Sequence, residues 1–310
     1  MQRAPLLILG YARTEKILKI LDFVSSFGER GIYVSLDGPK SQEIAEAQAG
    51  LIEEIGNRNQ VRTIPIRVRR NQSNQGVAVS VIAGIDWLFE NEKFGIIVED
   101  DLEFSYDFLN WCEFASKAFI EDSQIFMVSG NRFNQSEFMG YTHYSQTWGW
   151  ATWKDRWFRA RPTYVGHNFN FGNIFSYKSN FWTGGTLRVL SAVIDTWDIA
   201  LAKYMKDHDL LCVLPPNNLV SNLGVDSFST HTFLNQFPIG FPITEFPVLP
   251  KRIEPKDVDK IIINDRFLER EVFDIRPKHW LSLLKNLIFY FRRFELDKSL
   301  NKNTSIIFFP

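Results

Sequence analysis

The chain has 310 residues, 45% hydrophobic and 23% charged, with a net charge of −1. That balance supports a sizeable core and excludes both wholesale disorder and a general nucleic-acid binder, which carries a basic excess. Two cysteines, Cys112 and Cys212, lie outside any CxxC or Cys/His cluster, which points away from a zinc or redox site and toward a reducing compartment.

The first apolar run, "LLILG" (Leu6–Gly10), is a buried-strand pattern, too short for a secretory leader or a membrane span. "TEKILKILDFVSSF" follows with Ile17, Leu18, Ile20, Leu21 and Val24 on one helical face. "GIYVSLD" reads as the second strand, and "SQEIAEAQAGLIEEIG" as a helix with Ser41 as N-cap. "VRTIPIRV" is the third strand, "GVAVSVIAGIDWLFEN" a helix, "FGIIVED" the fourth strand, "SYDFLNWCEFASKAFIED" a helix and "QIFMVSG" the fifth strand. Strict alternation of this kind predicts βαβ units, that is, an α/β fold whose largely parallel sheet carries helices on both faces.

In such sheets ligands sit beyond the carboxyl ends of the strands. Arg13 follows the first strand, Asp37 the second, and Glu99, Asp100 and Asp101 the fourth. Three adjacent carboxylates repel one another unless water or a cation neutralises them. Neither GxGxxG nor GxxxxGK[ST] occurs, so the phosphates of a nucleotide would need another neutraliser. A divalent cation on carboxylates, Mn²⁺ or Mg²⁺, is the expected one. "TWGWATWKDRW" packs four Trp into eleven residues, as a core cluster or as a sugar-facing wall in which Gly149 permits close backbone approach. In "IDTWDIALAKYM" the acids Asp195 and Asp198 read as charges one helical turn apart, and "NNLVSNLGVDSFSTHT" reads as a loop.

The ordered set "ILGYART", "VSLDG", "IIVEDDLEFSYDFLNW", "TWGWATWKDRW" and "IDTWDIALAKYM" resembles glycosyltransferases of GT-A fold, which implies an α/β, Rossmann-like, mixed, mainly parallel sheet flanked by helices. The likeness covers roughly residues 5 to 235. It is to the N-acetylglucosaminyltransferase of complex N-glycan synthesis and to bacterial relatives that build surface polysaccharide or lipopolysaccharide. The resemblance implies that Arg13 and Asp37 hold the nucleotide and that Asp101 binds the metal. It implies that Glu99 and Asp100 contact ribose and sugar, and that Trp150 walls the sugar pocket. Asp198 matches the catalytic base of an inverting mechanism, with Trp197 shielding the site. Ser229 and His231 fall where the resembled fold closes a loop over the diphosphate, His231 completing the metal site or touching phosphate. One departure stands out: Gly84 occupies the region of a histidine that touches the nucleotide-sugar in the resembled enzyme.

The implied partners are a nucleoside-diphosphate sugar, a UDP-sugar foremost, and a saccharide or glycolipid acceptor. Two other functions stay open. A nucleotidyltransferase shares the sheet and the metal, but "LGYARTEK" lacks the Gly-rich basic signature for a triphosphate. A non-catalytic carbohydrate-binding protein would leave the acids without a use. Residues 1–245 are expected to form the catalytic domain, and 246–310 a Pro-rich strap and a C-terminal helical extension. In "PKHWLSLLKNLIFYFRRF" (Pro277–Phe294) apolar residues share a helical face with Lys and Arg interspersed, which suits peripheral contact with an anionic membrane, or docking on protein. The expected location is the cytoplasm, at the inner face of the plasma membrane.

Overall fold

The computed structural model describes residues 3–134, 136–164, 181–183, 185–186, 195–223, 242–244, 250, 252–273 and 275, with backbone alone for 162–164. Four parallel strands open the chain: β1 (Leu6–Gly10), β2 (Ile32–Leu36), β3 (Ile66–Arg70) and β4 (Phe94–Glu99). Between them run α1 (Thr14–Ser25), α2 (Gln42–Asn59) and α3 (Val77–Asn91). After β4 come β5 (Leu102–Phe104), α4 (Tyr106–Ala118), β6 (Ile125–Ser129), β7 (Gly140–Thr142), β8 (Trp150–Trp153) and α5 (Lys154–Tyr164). Then follow α6 (Asp198–Asp207), β9 (Leu211–Leu214), β10 (Val220–Asn222), α7 (Val258–Phe267) and a π-helical turn, Leu268–Val272.

The described strands form an eight-stranded sheet in the order β3-β2-β1-β4-β8-β6-β9-β7, with a separate β10-β5 pair. The sheet is the expected Rossmann-like, mixed, mainly parallel one flanked by helices. From β1 the chain steps outward to β2 and β3, then returns to lay β4 on the other side of β1. This reversal opens a crevice at the carboxyl ends of β1 and β4. Beyond β4 the order changes, because β8 runs antiparallel to both β4 and β6.

Strand alternation divides the core between the two faces. Leu6 and Ile8 pack with Ile17 and Leu21 of α1, Leu51 and Ile55 of α2, and Phe108 and Trp111 of α4. Leu7 and Leu9 pack with Ile85, Leu88 and Phe89 of α3, Trp157 of α5, and Leu201 and Met205 of α6. Ser41 caps α2 as expected, accepting from the Ile44 N–H at 3.3 Å. The third strand differs from expectation: it begins at Ile66, after Pro65, and Val61 is exposed. Proline lacks the N–H a ladder needs, which sets that start.

The segment after Pro250, expected as a strap, lies against the β7 edge and carries an unforeseen helix, α7. Tyr141 Oη donates to the Glu254 carbonyl at 2.6 Å, Asn264 Nδ2 donates to the Tyr141 carbonyl at 2.9 Å, and Tyr144 Oη donates to Glu269 at 2.6 Å. No helix among the described residues is long and apolar enough to cross a membrane. Cys112 and Cys212 are buried free thiols. The C-terminal stretch Pro277–Phe294 lies outside the described residues.

Candidate active site

A cleft of about 300 Å³ opens at the reversal point between β1 and β4. Of the residues singled out in the sequence, Arg13, Asp37, Glu99, Asp100, Asp101, Asp195, Trp197 and Asp198 line it. Ser229 and His231 lie outside the described residues.

The acids do different work. Asp37, at the end of β2, is buried and accepts from the backbone N–H groups of Gly38 (2.8 Å), Gln75 (2.9 Å) and Gly76 (3.2 Å), and from Asn71 Nδ2 (3.0 Å). It therefore ties β2 to the loop that enters α3. Asp100 is similarly engaged, accepting from the Tyr11 N–H at 2.9 Å and from Arg13 Nη1 at 2.9 Å. That pair closes β1 onto β4. Both residues border the cleft, but their oxygens already hold the chain's own donors.

Asp101 is the contrast. Its Oδ1 is buried and has no hydrogen-bond partner among the described residues. Burial, then the Asp100 charge, push its carboxyl up to about 6. Glu99 is driven well above the usual carboxylate range by burial and then by the charges of Asp101, Asp100 and Asp198, with Arg13 pulling the other way. Asp100 is raised by burial against the pull of its Tyr11 and Arg13 bonds. Among the described residues six carboxylates line the cleft against two cationic side chains, Arg13 and Lys40. A nucleoside diphosphate would meet net repulsion there unless a cation came with it.

Among the described residues no three His, Cys, Asp or Glu side chains converge in a ligating arrangement. The unpartnered oxygen of Asp101 nevertheless suits a hard divalent cation whose other ligands are phosphate and water.

Asp195 is not the solvated helix charge its spacing suggested. Helix α6 starts only at Asp198, and Asp195 sits before it, capping α3 from outside. Its oxygens accept from the N–H groups of Val77 (2.8 Å) and Ala78 (2.9 Å). The positive end of α3 is therefore already occupied by a carboxylate and is not an open phosphate site.

Trp150 does not wall the pocket. It lies in β8, between β4 and β6, and is only 1% exposed. Its indole stacks beneath Trp197, with centroids 5.5 Å apart and planes at 22°. A central strand buries both its faces, so all four residues of "WATW" are inside. The member of the Trp-rich segment that reaches the cleft is Trp148, beside Thr147. Trp148 packs edge-on against Phe133, with centroids 5.4 Å apart. Gly149 adopts φ +59°, and a Cβ there would meet Val220 at 2.8 Å.

Gly84 has a packing explanation. A Cβ at this position would lie 2.7 Å from Leu9 Cδ2 and 2.9 Å from Ser35 Oγ, so α3 seats directly on the sheet. No histidine side chain fits there. Sequence reading also passed over Lys40, Ser80, Thr196 and Asn222, all lining the cleft. Lys40 and Thr196 lie in irregular segments, Ser80 inside α3 and Asn222 at the end of β10, and single polar residues so placed carry no periodic signal that would have found them.

No protein-family model matches the chain, and no curated protein matches it. Two similar solved structures are enzymes. One is a glycosyltransferase involved in the glycosylation of the major capsid of PBCV-1, 12% identical over 67% of this chain and 93% of that one, with a TM-score of 0.29. The other is the 4-diphosphocytidyl-2C-methyl-D-erythritol synthase of Anaerococcus prevotii DSM 20548, 9% identical over 65% of this chain and 95% of that one, with a TM-score of 0.32. Likenesses this distant carry no argument about activity.

Proposed function

We propose that the chain is an inverting, metal-dependent glycosyltransferase of GT-A architecture, moving a sugar from a nucleoside-diphosphate sugar to a hydroxyl of a saccharide or glycolipid. The observation that supports it most is the acid-rich cleft at the β1/β4 reversal, where Asp101 presents an unpartnered buried oxygen and Asp198 borders the same space. Asp101 would hold Mn²⁺ or Mg²⁺, which when bound neutralises the charge developing on the departing diphosphate. Arg13 and Lys40 add the protein's own positive charge beside it. Asp198 takes the proton of the acceptor hydroxyl as the sugar–oxygen bond forms on the face opposite the diphosphate. Trp197, 4% exposed and backed by Trp150, keeps water from the flank of that carboxylate.

A role in bacterial surface polysaccharide, at the inner membrane face, extends this reading to the acceptor. Co-sedimentation of the full chain with phosphatidylglycerol vesicles, lost on deleting residues 277–310, would support it; no co-sedimentation would sink it. The reading as a whole is tested by calorimetry of UDP and GDP with and without Mn²⁺. Binding that needs the metal is expected. Metal-independent binding, or pyrophosphate release from a nucleoside triphosphate, would refute it, and the latter would make the chain a nucleotidyltransferase.

A further inference from the structure

Asp198 is the first residue of α6, so its place depends on the non-helical turn Asp195–Trp197 before it. Each residue of that turn is anchored differently. Asp195 grips the Val77 and Ala78 N–H groups at the start of α3. Trp197 stacks on Trp150 of the sheet. Thr196, 8% exposed, turns its hydroxyl onto Asp198, donating from Oγ1 to Oδ1 at 2.5 Å.

We propose that Thr196 is the positioning residue of the base. By occupying Oδ1 of Asp198 it fixes the rotation of the carboxylate and leaves Oδ2 to receive the acceptor's proton. A carboxylate free to rotate would present its basic oxygen to the acceptor for only part of the time. This rests on the reading of Asp198 as base.

The test compares the wild-type chain with Thr196→Val, Thr196→Ser and Asp198→Asn. Nucleotide release is followed from UDP-glucose, UDP-galactose, UDP-N-acetylglucosamine and GDP-mannose with Mn²⁺, simple methyl glycosides and water serving as acceptors. UDP affinity and Tm are measured alongside. Valine keeps the shape of threonine and removes only the donor. We expect kcat of Thr196→Val to fall roughly 10- to 100-fold, the worth of one hydrogen bond to a charged group expressed as a rate. Donor KM, UDP affinity and Tm should hold, and Thr196→Ser should keep kcat within about threefold of wild type, since the hydroxyl is retained.

Full activity of Thr196→Val beside a crippled Asp198→Asn overturns the positioning role and leaves the base in place. A joint loss of Tm, UDP affinity and rate in Thr196→Val, not restored by serine, makes Thr196 a structural residue and also overturns it. Full activity of Asp198→Asn, or no release by wild type from any donor, overturns the reading of the cleft and this proposal with it.

Discussion

Replacing Asp101 by Asn should make the metal-free protein more stable while removing its metal-dependent function. The Asp101 carboxyl is pushed from 3.8 up to about 6, by burial first and the Asp100 charge second. Each unit is worth about 1.4 kcal/mol, so ionised Asp101 costs the folded chain up to about 3 kcal/mol. The sign follows from proton linkage. A carboxyl raised on folding costs nothing below its unfolded value, costs more as pH rises through that value, and reaches its full cost above the folded one. At pH 7.5 nearly all of the cost is present; by pH 4.5 it has shrunk to about 1 kcal/mol.

Asn keeps the size and discards the charge, and it also relieves Glu99, which Asp101 helps to raise. In EDTA at pH 7.5 the variant should therefore melt roughly 2–6 °C higher than wild type, given about 2 °C per kcal/mol for a chain of this size. At pH 4.5 the gain should fall to about a third of that. UDP binding dependent on Mn²⁺ should be lost in the same variant. Scanning calorimetry at the two pH values is the assay. An unchanged or lower Tm at pH 7.5, or an equal gain at both pH values, would refute the electrostatic argument. A stability gain with metal-dependent UDP affinity intact would refute the ligand assignment.

Other outcomes follow from the same structure. Asp198→Asn should lower turnover by roughly 10²–10⁴ with donor affinity retained, the pattern of a lost general base, read by steady-state kinetics beside calorimetry. Gly84→Ala should cost about 1–3 kcal/mol by overpacking α3 against Leu9, read as an earlier urea midpoint; an unchanged midpoint would mean the helix has slack there. His143 donates from Nδ1 to Asp265 at 2.7 Å and lies 3.0 Å from Asp209 through Nε2. The Asp265 hydrogen bond, against burial, raises His143, so its contribution is full below its unfolded value near 6.5 and fades as pH rises through the folded one. Burial opposes the lowering of Asp265, but the bonds from His143 and Thr142 outweigh it. The Asp265 share is present above the unfolded carboxylate value and fades as pH falls through the lowered one. Urea midpoints should peak between these limits, and His143→Ala should flatten the alkaline limb; an unaltered limb would exclude the pair as its source.

The first half of the fold was legible because its strands are continuous apolar runs separated by helices of clear period. β1, β2 and β4 lie where "LLILG", "GIYVSLD" and "FGIIVED" put them. The second half was not. β8 is buried on both faces, so "WATW" has no alternation to read, and β5, β7 and β10 are three residues each. In α7 the run Ile261–Ile263 looks like strand by propensity, yet only Ile261 is buried, against the β7 edge. At the cleft, strand ends marked which acids gather. They did not mark which acids are already engaged, because the donors to Asp37, Asp100 and Asp195 are mostly backbone N–H groups. Backbone groups leave no trace in residue type.

The antiparallel β8 has a consequence for the order in which the molecule forms. Residues 6–99 hold four parallel strands and three helices that need nothing later in the chain for their pairing. β4 gains its second neighbour only when Trp150–Trp153 has been made, and β6 reaches the main sheet only through that strand. Until then the β4 edge is an open template for unwanted pairing, blunted at one end by Glu99, Asp100 and Asp101. Long-range insertion of a central strand is a slow step, since its loops must close before its contacts reward them. The acids of β4 would thus be in place before Asp198 joins them. Pulse-labelled hydrogen exchange should find the β1 and β2 amides protected ahead of those of β8; simultaneous protection would mean that the whole sheet closes at once.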